Sequence, residues 1–587
     1  MTDLIPGSFW DQLCKYPLIT VEIELCLLIL LVLLVSGRAS ERLHRLRSWF
    51  RKTANHTTRA VILSGAIAIV AHLCALPLLR APVPGVHDEF SYLLQARTFA
   101  SGRLANPTHP LWVYFETFHI EHVPTYASMY PPAQGLALAA GLVLGNPIIG
   151  VWISTALFCA ALCWMLQAWV PARWAFLGAL IAVMRIGVFS YWANTYWGGS
   201  VPAIGGCLAW GAFGRIRRAP RARYMVLLGI GLMLLVTSRP YEGFWSALPI
   251  AAAMAWGIVN RRSSLRIPIQ AILVLLVVLA AGGAWMAYYD WRVFGNPLTL
   301  PYTVNRRIYG IAPSFPWQAM GAIPSYHHAV MRDFYTHFES GGFQAARTLV
   351  NFLRLTRLKV FTFWVFFVGP ALTLPFLVFL ITALRGRASV RWPAYGLLAV
   401  GAGAAILAWP TNPHYYSPAV GCLYAAIIEG CRRLYVWRRN WTVPGRSIVT
   451  ACLLTCLAVL CVRATAPAFQ VEQANNITPV PWYAAETYPL EKREQVIHAL
   501  KQRGGKHLVI VRYSPNHLPF QEYVYNDADI DNADIVWARE LPNADQNVPL
   551  LDYFKGRSIW LYRPDESPYL VPYESKTPDP TVSHTTR

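Results

Sequence analysis

The chain has 587 residues, of which 55% are hydrophobic and only 14% are charged. Its mean hydropathy of +0.35 excludes a soluble globular protein and indicates a polytopic membrane protein. The formal net charge of +21 would suit a nucleic-acid-binding protein. The Lys and Arg residues, however, fall mainly in short clusters between apolar runs, which is typical of positive-inside topology. We therefore expect membrane lipids as partners and no nucleic acid.

Apolar runs of membrane-spanning length predict roughly twelve transmembrane helices. The basic clusters between them share one side if both termini lie on the other, and the positive-inside rule makes the basic side cytoplasmic. We therefore expect a multi-pass protein of the cell (inner) membrane, with its long loops on the periplasmic or extracytoplasmic side. The predicted spans lie near residues 17–37, 60–79, 147–169, 173–192, 199–214, 224–238, 243–260, 267–288, 358–383, 392–409, 416–431 and 447–465.

Four regions follow from this layout. Residues 1–57 form an N-terminal extra helix and a basic cytoplasmic loop, and residues 58–465 form a transmembrane domain with outer loops 80–146 and 289–357. Residues 133–144 are apolar but short and follow a Pro pair, so we expect a helix lying against the membrane; a further span would turn the later basic clusters outward. Alternating helix and strand patterns predict an extracytoplasmic α/β domain over 466–570, followed by a disordered tail at 571–587.

Two adjacent carboxylates, Asp88 and Glu89, begin the first outer loop directly after an apolar run. A carboxylate at the hydrocarbon boundary loses solvation, which raises its pKa and suits it to work as a general base. Alternatively, both acids solvate the start of a loop helix and complement its dipole. The catalytic candidates are therefore Asp88 and Glu89.

The same loop is rich in aromatic and imidazole side chains, which stack on sugar rings and hydrogen-bond hydroxyl groups. An interfacial aromatic belt is the alternative. The sequence requires no cofactor. His119 and His122, with Glu121 between them, could bind a divalent metal, but their spacing is shorter than that of the His-Glu-x-x-His motif. The substrate-binding candidates in this loop are His87, Tyr92, Tyr114, His119, His122 and Tyr130.

Arg239 lies where the sixth predicted span meets the outer face, a costly place for a cation that has no anionic partner. Glu242 is one candidate partner; a lipid phosphate, which Arg binds bidentately, is the other. Arg185 lies inside an apparent span and is either functional or turned outward to the interface. Further candidates on the outer face are Arg306 and Arg307 for phosphate, and Tyr241, Glu242, His414 and Tyr415 for substrate.

The layout resembles the GT-C glycosyltransferases. More narrowly, His87-Asp88-Glu89 together with Tyr130-Pro131-Pro132 is similar to the protein O-mannosyltransferase and lipid A aminoarabinose transferase branch. That resemblance implies an α-helical polytopic fold and a sugar donor on polyprenyl phosphate. It implies that the acidic pair includes the catalytic base, with Asp88 preferred and Glu89 as its neighbour or substitute. Arg239 or another basic residue of the outer face would hold the departing lipid phosphate.

The predicted function is therefore transfer of a sugar to an extracytoplasmic acceptor, which is a glycolipid, a polysaccharide or a protein. A transporter or lipid flippase is the main rival, but such proteins place ionisable groups near the bilayer midplane and often contain repeated halves. Here most candidates lie at outer helix ends, and no internal repeat is evident. A non-catalytic membrane assembly protein is the third alternative.

Overall fold

The computed structural model describes residues 17–36, 41–79, 82–259, 267–385, 390–437, 444–465 and 491–573. Within these ranges the chain is mostly helical, and a helix lies at each of the predicted spans. Six of the described helices are long and apolar enough to cross a membrane, so the count of twelve spans stays a prediction. The apolar helices are Pro17–Ser36, Thr57–Ala75, Pro147–Leu166, Ala172–Ala182, Ser200–Ile216, Ala222–Val236, Pro240–Val259, Ile269–Phe294, Leu349–Phe363, Gly369–Leu384, Arg391–Ala405, Val420–Tyr435 and Pro444–Thr465.

Small residues let these helices approach one another closely. A Cβ added to Gly206 would lie 2.1 Å from the carbonyl oxygen of Pro418, and one added to Gly205 would lie 2.9 Å from that of Gly231. In lipid, hydrophobic burial does not drive apolar helices together. Close backbone contact of this kind is therefore a main source of packing energy between them. Gly205 and Gly206 are therefore positions of close packing.

The side chain of Arg185 does not turn outward to the interface; it is buried in an ion pair. Its Nη1 lies 3.0 Å from Oε1 of Glu22, and the two side chains are 2% and 0% exposed. Arg185 belongs to a π-helical turn, Val183–Gly187, and Glu22 comes from the first helix, Pro17–Ser36. The same Glu22 oxygen accepts a hydrogen bond from the amide of Ala371 at 3.0 Å. The buried ion pair therefore ties the first helix to the middle of the chain.

The first outer loop folds into the helix His87–Ala100, a small antiparallel sheet and the short apolar helix Pro132–Val143. In the sheet, strand Thr125–Ser128 lies between Asn106–Pro107 and Ile120–Glu121. The carboxylate of Glu89 accepts hydrogen bonds from the amides of Gly85 and Val86 and so caps the helix start. The second outer loop contributes further short helices, at Pro301–Ile308, Ala329–Asp333 and Ser340–Ala346.

The C-terminal part is a small α/β unit, as predicted. Helix Glu491–Arg503 precedes the central strand His507–Val511, which pairs in parallel with Ile535–Arg539 and Ser558–Tyr562. Helix Ala544–Tyr553 connects the two outer parallel strands, and a strand that the sequence did not predict, Leu570–Pro572, joins antiparallel to the edge. The predicted domain start at 466 and the end of the chain beyond 573 lie outside the described residues.

This C-terminal domain packs directly on the first outer loop. The rings of Phe90 and Tyr525 stack 3.9 Å apart, and the Nε of Arg539 donates to the carbonyl oxygen of Glu116 at 2.7 Å. Buried side chains of both parts form one apolar cluster, which includes Leu94 and Trp537. The loop and the C-terminal domain therefore lie on the same side of the apolar helices.

Candidate active site

The carboxylate of Asp88 is held by three hydrogen-bond donors. Its Oδ1 accepts from the hydroxyl of Tyr130 at 2.5 Å and lies 2.6 Å from Nδ1 of His119, while Oδ2 accepts from Nε1 of Trp197 at 2.5 Å. Burial alone would raise the pKa of Asp88, but His119, Tyr130 and His414 outweigh burial and hold it well below its usual range. With its side chain 18% exposed, Asp88 is an ionised carboxylate with access to a ligand.

The helix that carries Asp88 also positions His119. One turn along it, the hydroxyl of Ser91 donates to the carbonyl oxygen of His119 at 2.6 Å, and the amide of Met129 donates to the same oxygen at 3.2 Å. His119 has a φ of 61°, in the left-handed region that few residues other than glycine adopt. Both the backbone and the ring of this histidine are therefore fixed by neighbours.

Trp197 reaches Asp88 from a turn between two apolar helices. The two residues that follow it, Gly198 and Gly199, have φ values of 88° and 141°, which side-chain-bearing residues rarely adopt. A Cβ on Gly199 would also lie 2.3 Å from the ring of Trp192. The glycine pair thus permits both the backbone conformation of the turn and its close contact with Trp192.

Glu89, the second catalytic candidate, has a different environment. Its side chain is almost fully buried, and Oε1 accepts from the amide of Tyr196 at 2.9 Å, in addition to the bonds from Gly85 and Val86 to Oε2. Burial raises the pKa of Glu89 to about 7, against the lowering effect of these amides. The carboxylate joins the start of the Asp88 helix to the Trp197 turn, so it supports the site through the backbone.

Arg239 is the cation of the site. It is buried, and its Nη1 lies 3.9 Å from Oε1 of Glu242, which is longer than a charge-assisted hydrogen bond. Its Cζ lies 5.0 Å from the ring centroid of Tyr415. Glu242 is therefore near enough to offset part of the charge and too far to occupy the guanidinium.

Aromatic contacts connect Asp88 with Arg239 along two sides. On one side, the ring of Trp197 lies 4.8 Å from that of His414, which stacks on Tyr415 beside Arg239. On the other side, the ring of Tyr130 stacks on Tyr92 at 4.5 Å and meets Tyr302 edge-on at 5.5 Å. Tyr92 and Tyr415 lie within electrostatic range of both charges. One aromatic-walled site therefore holds the anion and the cation.

Of the substrate-binding candidates in the first loop, His87 and Tyr114 lie instead at the contact with the C-terminal domain, and His122 is buried within the loop. The Nε2 of His87 lies 3.1 Å from the carbonyl oxygen of Pro519, and burial lowers the pKa of His87 to about 3. The hydroxyl of Tyr114 donates to the carbonyl oxygen of Gln546. His122 is buried with its ring stacked on Tyr126, and burial lowers its pKa to about 3 as well.

The remaining candidates are engaged elsewhere or exposed. Arg306 donates to Glu339 at 2.5 Å, and Arg307, on the same helix Pro301–Ile308, is exposed. The hydroxyl of Tyr241 donates to the carbonyl oxygen of Gly403 at 2.9 Å. The structure thus brings together Asp88, Tyr92, His119, Tyr130, Arg239, Glu242, His414 and Tyr415.

Two residues of the site, Trp197 and Tyr302, were not predicted. Trp197 carried a usable signal, because it precedes a glycine pair in a short outer turn between two predicted spans. Tyr302 lies in the first turn of the short helix Pro301–Ile308, whose last turn carries Arg306 and Arg307. Its position beside Tyr130 depends on the path of the whole second loop, which no local pattern specifies.

Around Asp88 and His119, the described residues present no cluster of metal ligands. In the described part of the chain, no group of three or more His, Cys, Asp or Glu side chains could hold a metal ion. The ring of His119 faces Asp88, whereas that of His122 packs against Tyr126, so the two histidines do not share a site. Both oxygens of Asp88 already accept hydrogen bonds.

No protein-family model and no curated protein matches the chain. Among solved structures, it is similar to ArnT from Cupriavidus metallidurans bound to undecaprenyl phosphate, at 12% identity and a TM-score of 0.45, over 86% of this chain and 92% of that one. It is also similar to the Archaeoglobus fulgidus oligosaccharyltransferase tethered with an acceptor peptide, at 14% identity and a TM-score of 0.44, over 79% of this chain and 62% of that one.

The chain therefore spans less than two thirds of the length of the oligosaccharyltransferase. Both neighbours are GT-C glycosyltransferases, the class that the sequence resemblance named.

Proposed function

We propose that this protein is a membrane glycosyltransferase that moves a sugar from a polyprenyl-phosphate-linked donor to an extracytoplasmic acceptor. The observation that carries the proposal is the pairing of an ionised, partly exposed carboxylate with a buried arginine inside one aromatic-walled site. Sugar transfer from a lipid phosphate needs both charges, one beside the attacking group and one beside the leaving phosphate.

The guanidinium of Arg239 suits the phosphate. Its distance of 3.9 Å to Glu242 leaves its fork of donors available, and a planar fork matches two phosphate oxygens. Because lipid phosphate is already a good leaving group, the protein needs mainly to position the reactants and to stabilise the charge that develops. Tyr92, Tyr302 and Tyr415, around Arg239, supply hydroxyl groups and ring faces for the sugar.

The position of the site supports an acceptor on the loop side of the membrane. Asp88 lies at the start of a loop helix that is covered by the C-terminal domain, and Arg239 precedes the helix Pro240–Val259. We place this face on the periplasmic or extracytoplasmic side of the inner membrane, in line with the positive-inside distribution of Lys and Arg. The acceptor is a glycolipid, a polysaccharide or a protein of that compartment.

The test uses cells that lack the protein, because their membranes retain both the unused donor and the unmodified acceptor. Surface polysaccharide, glycolipid and glycoprotein compositions are compared between these cells and cells that carry the gene. Purified full-length protein is then added to the deficient membranes, and we expect the missing glycan to reappear while polyprenyl monophosphate is released.

Two variants provide the specificity of this test. Asp88→Asn and Asp88→Ala should remain folded in the membrane and lose the restored transfer. Glycan compositions that do not differ between the two cell types would overturn the glycosyltransferase proposal and favour a lipid flippase or a non-catalytic assembly protein.

A further inference from the structure

We propose that His119 is the general base of the transfer reaction: its Nε2 takes the proton of the acceptor, and Asp88 orients and stabilises the imidazole instead of acting as the base itself. This inference rests on the proposed function and assigns the proton transfer within it.

The hydrogen bonds of Asp88 determine which ring nitrogen of His119 is available. An ionised carboxylate can only accept hydrogen bonds, so Nδ1 of His119, 2.6 Å from Oδ1, carries the hydrogen. The tautomer is inferred from this network. In the neutral ring Nε2 is then unprotonated, and its lone pair is free to accept a proton.

The surroundings leave Nε2 open to a ligand. No residue that the structure describes makes a hydrogen bond to this nitrogen, and the side chain of His119 is 21% exposed. The ring meets that of Tyr130 edge-on at 5.9 Å, so it borders the aromatic wall that leads to Tyr92. An acceptor bound against the exposed part of this ring would have access to Nε2.

The backbone of His119 supports the same role. A left-handed φ of 61° is unusual for a residue other than glycine. Such conformations persist only when the surroundings enforce them, and they cluster at functional sites. Here Ser91 and Met129 both donate to the carbonyl oxygen of His119, which holds the ring against Asp88.

Asp88 is poorly arranged to accept the proton directly. Tyr130, His119 and Trp197 already donate to its two oxygens, so protonation would require at least one of these bonds to break. The low pKa that these contacts give Asp88 also makes it a weak base at neutral pH. A carboxylate that fixes the tautomer of a histidine and stabilises its imidazolium is the arrangement of the Ser-His-Asp triad.

The lone pair of the acceptor oxygen or nitrogen forms a bond to the anomeric carbon, and the bond from that carbon to the phosphate oxygen breaks. The electron pair of the broken bond leaves with the polyprenyl monophosphate, whose charge Arg239 offsets. The acceptor proton passes to Nε2 of His119, and the imidazolium beside Asp88 afterwards releases it to solvent.

The decisive variant is His119→Asn, assayed as purified full-length protein in the deficient membranes. Its amide N–H can replace Nδ1–H beside Asp88, and asparagine adopts the left-handed conformation readily, but it lacks Nε2. Since general-base catalysis contributes roughly 10²- to 10⁴-fold, we expect the transfer rate to fall by about that factor while the donor KM stays near the wild-type value.

A second variant, His119→Ala, tests the proton transfer by rescue. Imidazole added to the assay should restore part of the transfer rate, in proportion to the concentration of its neutral form. A His119→Asn protein that transfers at the wild-type rate, or a folded His119→Ala protein that imidazole does not rescue, would overturn the role of His119. If the wild-type protein itself transfers no sugar, the proposed function fails and this inference fails with it.

Discussion

Trp197 holds one oxygen of Asp88 through a single N–H group, and its loss should be measurable. In Trp197→Phe the ring packing against His414 is largely kept, while the hydrogen bond to Oδ2 is removed. Because a hydrogen bond to a charged group contributes about 1.5–3 kcal/mol, we expect kcat to fall roughly ten- to hundredfold. Transfer assays in the deficient membranes provide the measurement.

The matched control for this change is Trp152→Phe. Nε1 of Trp152 has no hydrogen-bond partner among the described residues, so the same substitution removes no bond. Similar losses in kcat for the two variants would show that Trp197 acts through ring volume alone.

Arg239 can be tested against Arg306, which the sequence placed in the same role. Arg239→Gln removes the cation beside Tyr415, and the loss of one preorganised stabilising group lowers kcat by about 10²- to 10³-fold. Arg306→Gln breaks a bond to Glu339 and should leave the donor KM unchanged. If Arg306→Gln raised the donor KM while Arg239→Gln kept the kcat of the wild type, Arg306 would be the phosphate-binding residue instead of Arg239.

The sequence could identify Asp88 but not its partners. Two adjacent acids beside an apolar run are a local pattern. His119, Tyr130 and Trp197, in contrast, are 31, 42 and 109 positions away along the chain. Contacts over such separations depend on how the loop closes and on how the helices pack. For the same reason the two acids, equivalent by sequence, differ in the structure, where Glu89 is occupied by backbone amides.

At the scale of elements, breaking the buried ion pair of Glu22 and Arg185 should be strongly destabilising. Removing one partner of a buried ion pair leaves an uncompensated charge and costs about 3–5 kcal/mol. We therefore expect Glu22→Gln to lower the unfolding temperature of the detergent-solubilised protein strongly. The double variant Glu22→Gln/Arg185→Gln removes both charges and should recover part of the loss; a double variant less stable than either single one would contradict this account.

Helices were the most predictable elements because hydropathy reports them directly. Each predicted span coincides with a helix, such as Pro147–Leu166 for 147–169, since a backbone surrounded by lipid must satisfy its hydrogen bonds within the segment. The strand Leu570–Pro572 escaped prediction because it is short and gains its partners only by pairing with Ser558–Tyr562. Whether this strand forms therefore depends on its pairing with the sheet rather than on its own residues.

At the scale of the molecule, acid should weaken the contacts among the two outer loops and the C-terminal domain. Burial lowers the pKa values of His87, His122 and His328 to about 3, whereas an unfolded chain titrates near 6.5. The unfolded state therefore binds more protons below pH 6.5. The stability that these neutral rings contribute is fully present above that pH and is lost as the pH falls toward 3, by about 1.4 kcal/mol per pH unit for each ring.

Thermal unfolding measured between about pH 7.5 and pH 4.5 tests this expectation, because a histidine of ordinary pKa titrates in roughly that window. His87→Phe keeps an aromatic ring stacked on Phe118 and removes one titrating group, so its unfolding temperature should depend less steeply on pH. An identical pH dependence in the variant and the wild type would show that His87 is not one of the groups responsible.

The contact of Pro519 with His87 also has a consequence for biosynthesis. His87 is synthesised well before the carbonyl group that holds it, because Pro519 lies 432 positions further along the chain. The loop cannot reach its final arrangement until the C-terminal domain has been delivered to the same side of the membrane and has folded there. A chain that ends before Pro519, or whose C-terminal domain is delivered to the other side of the membrane, would lack this contact beside Asp88.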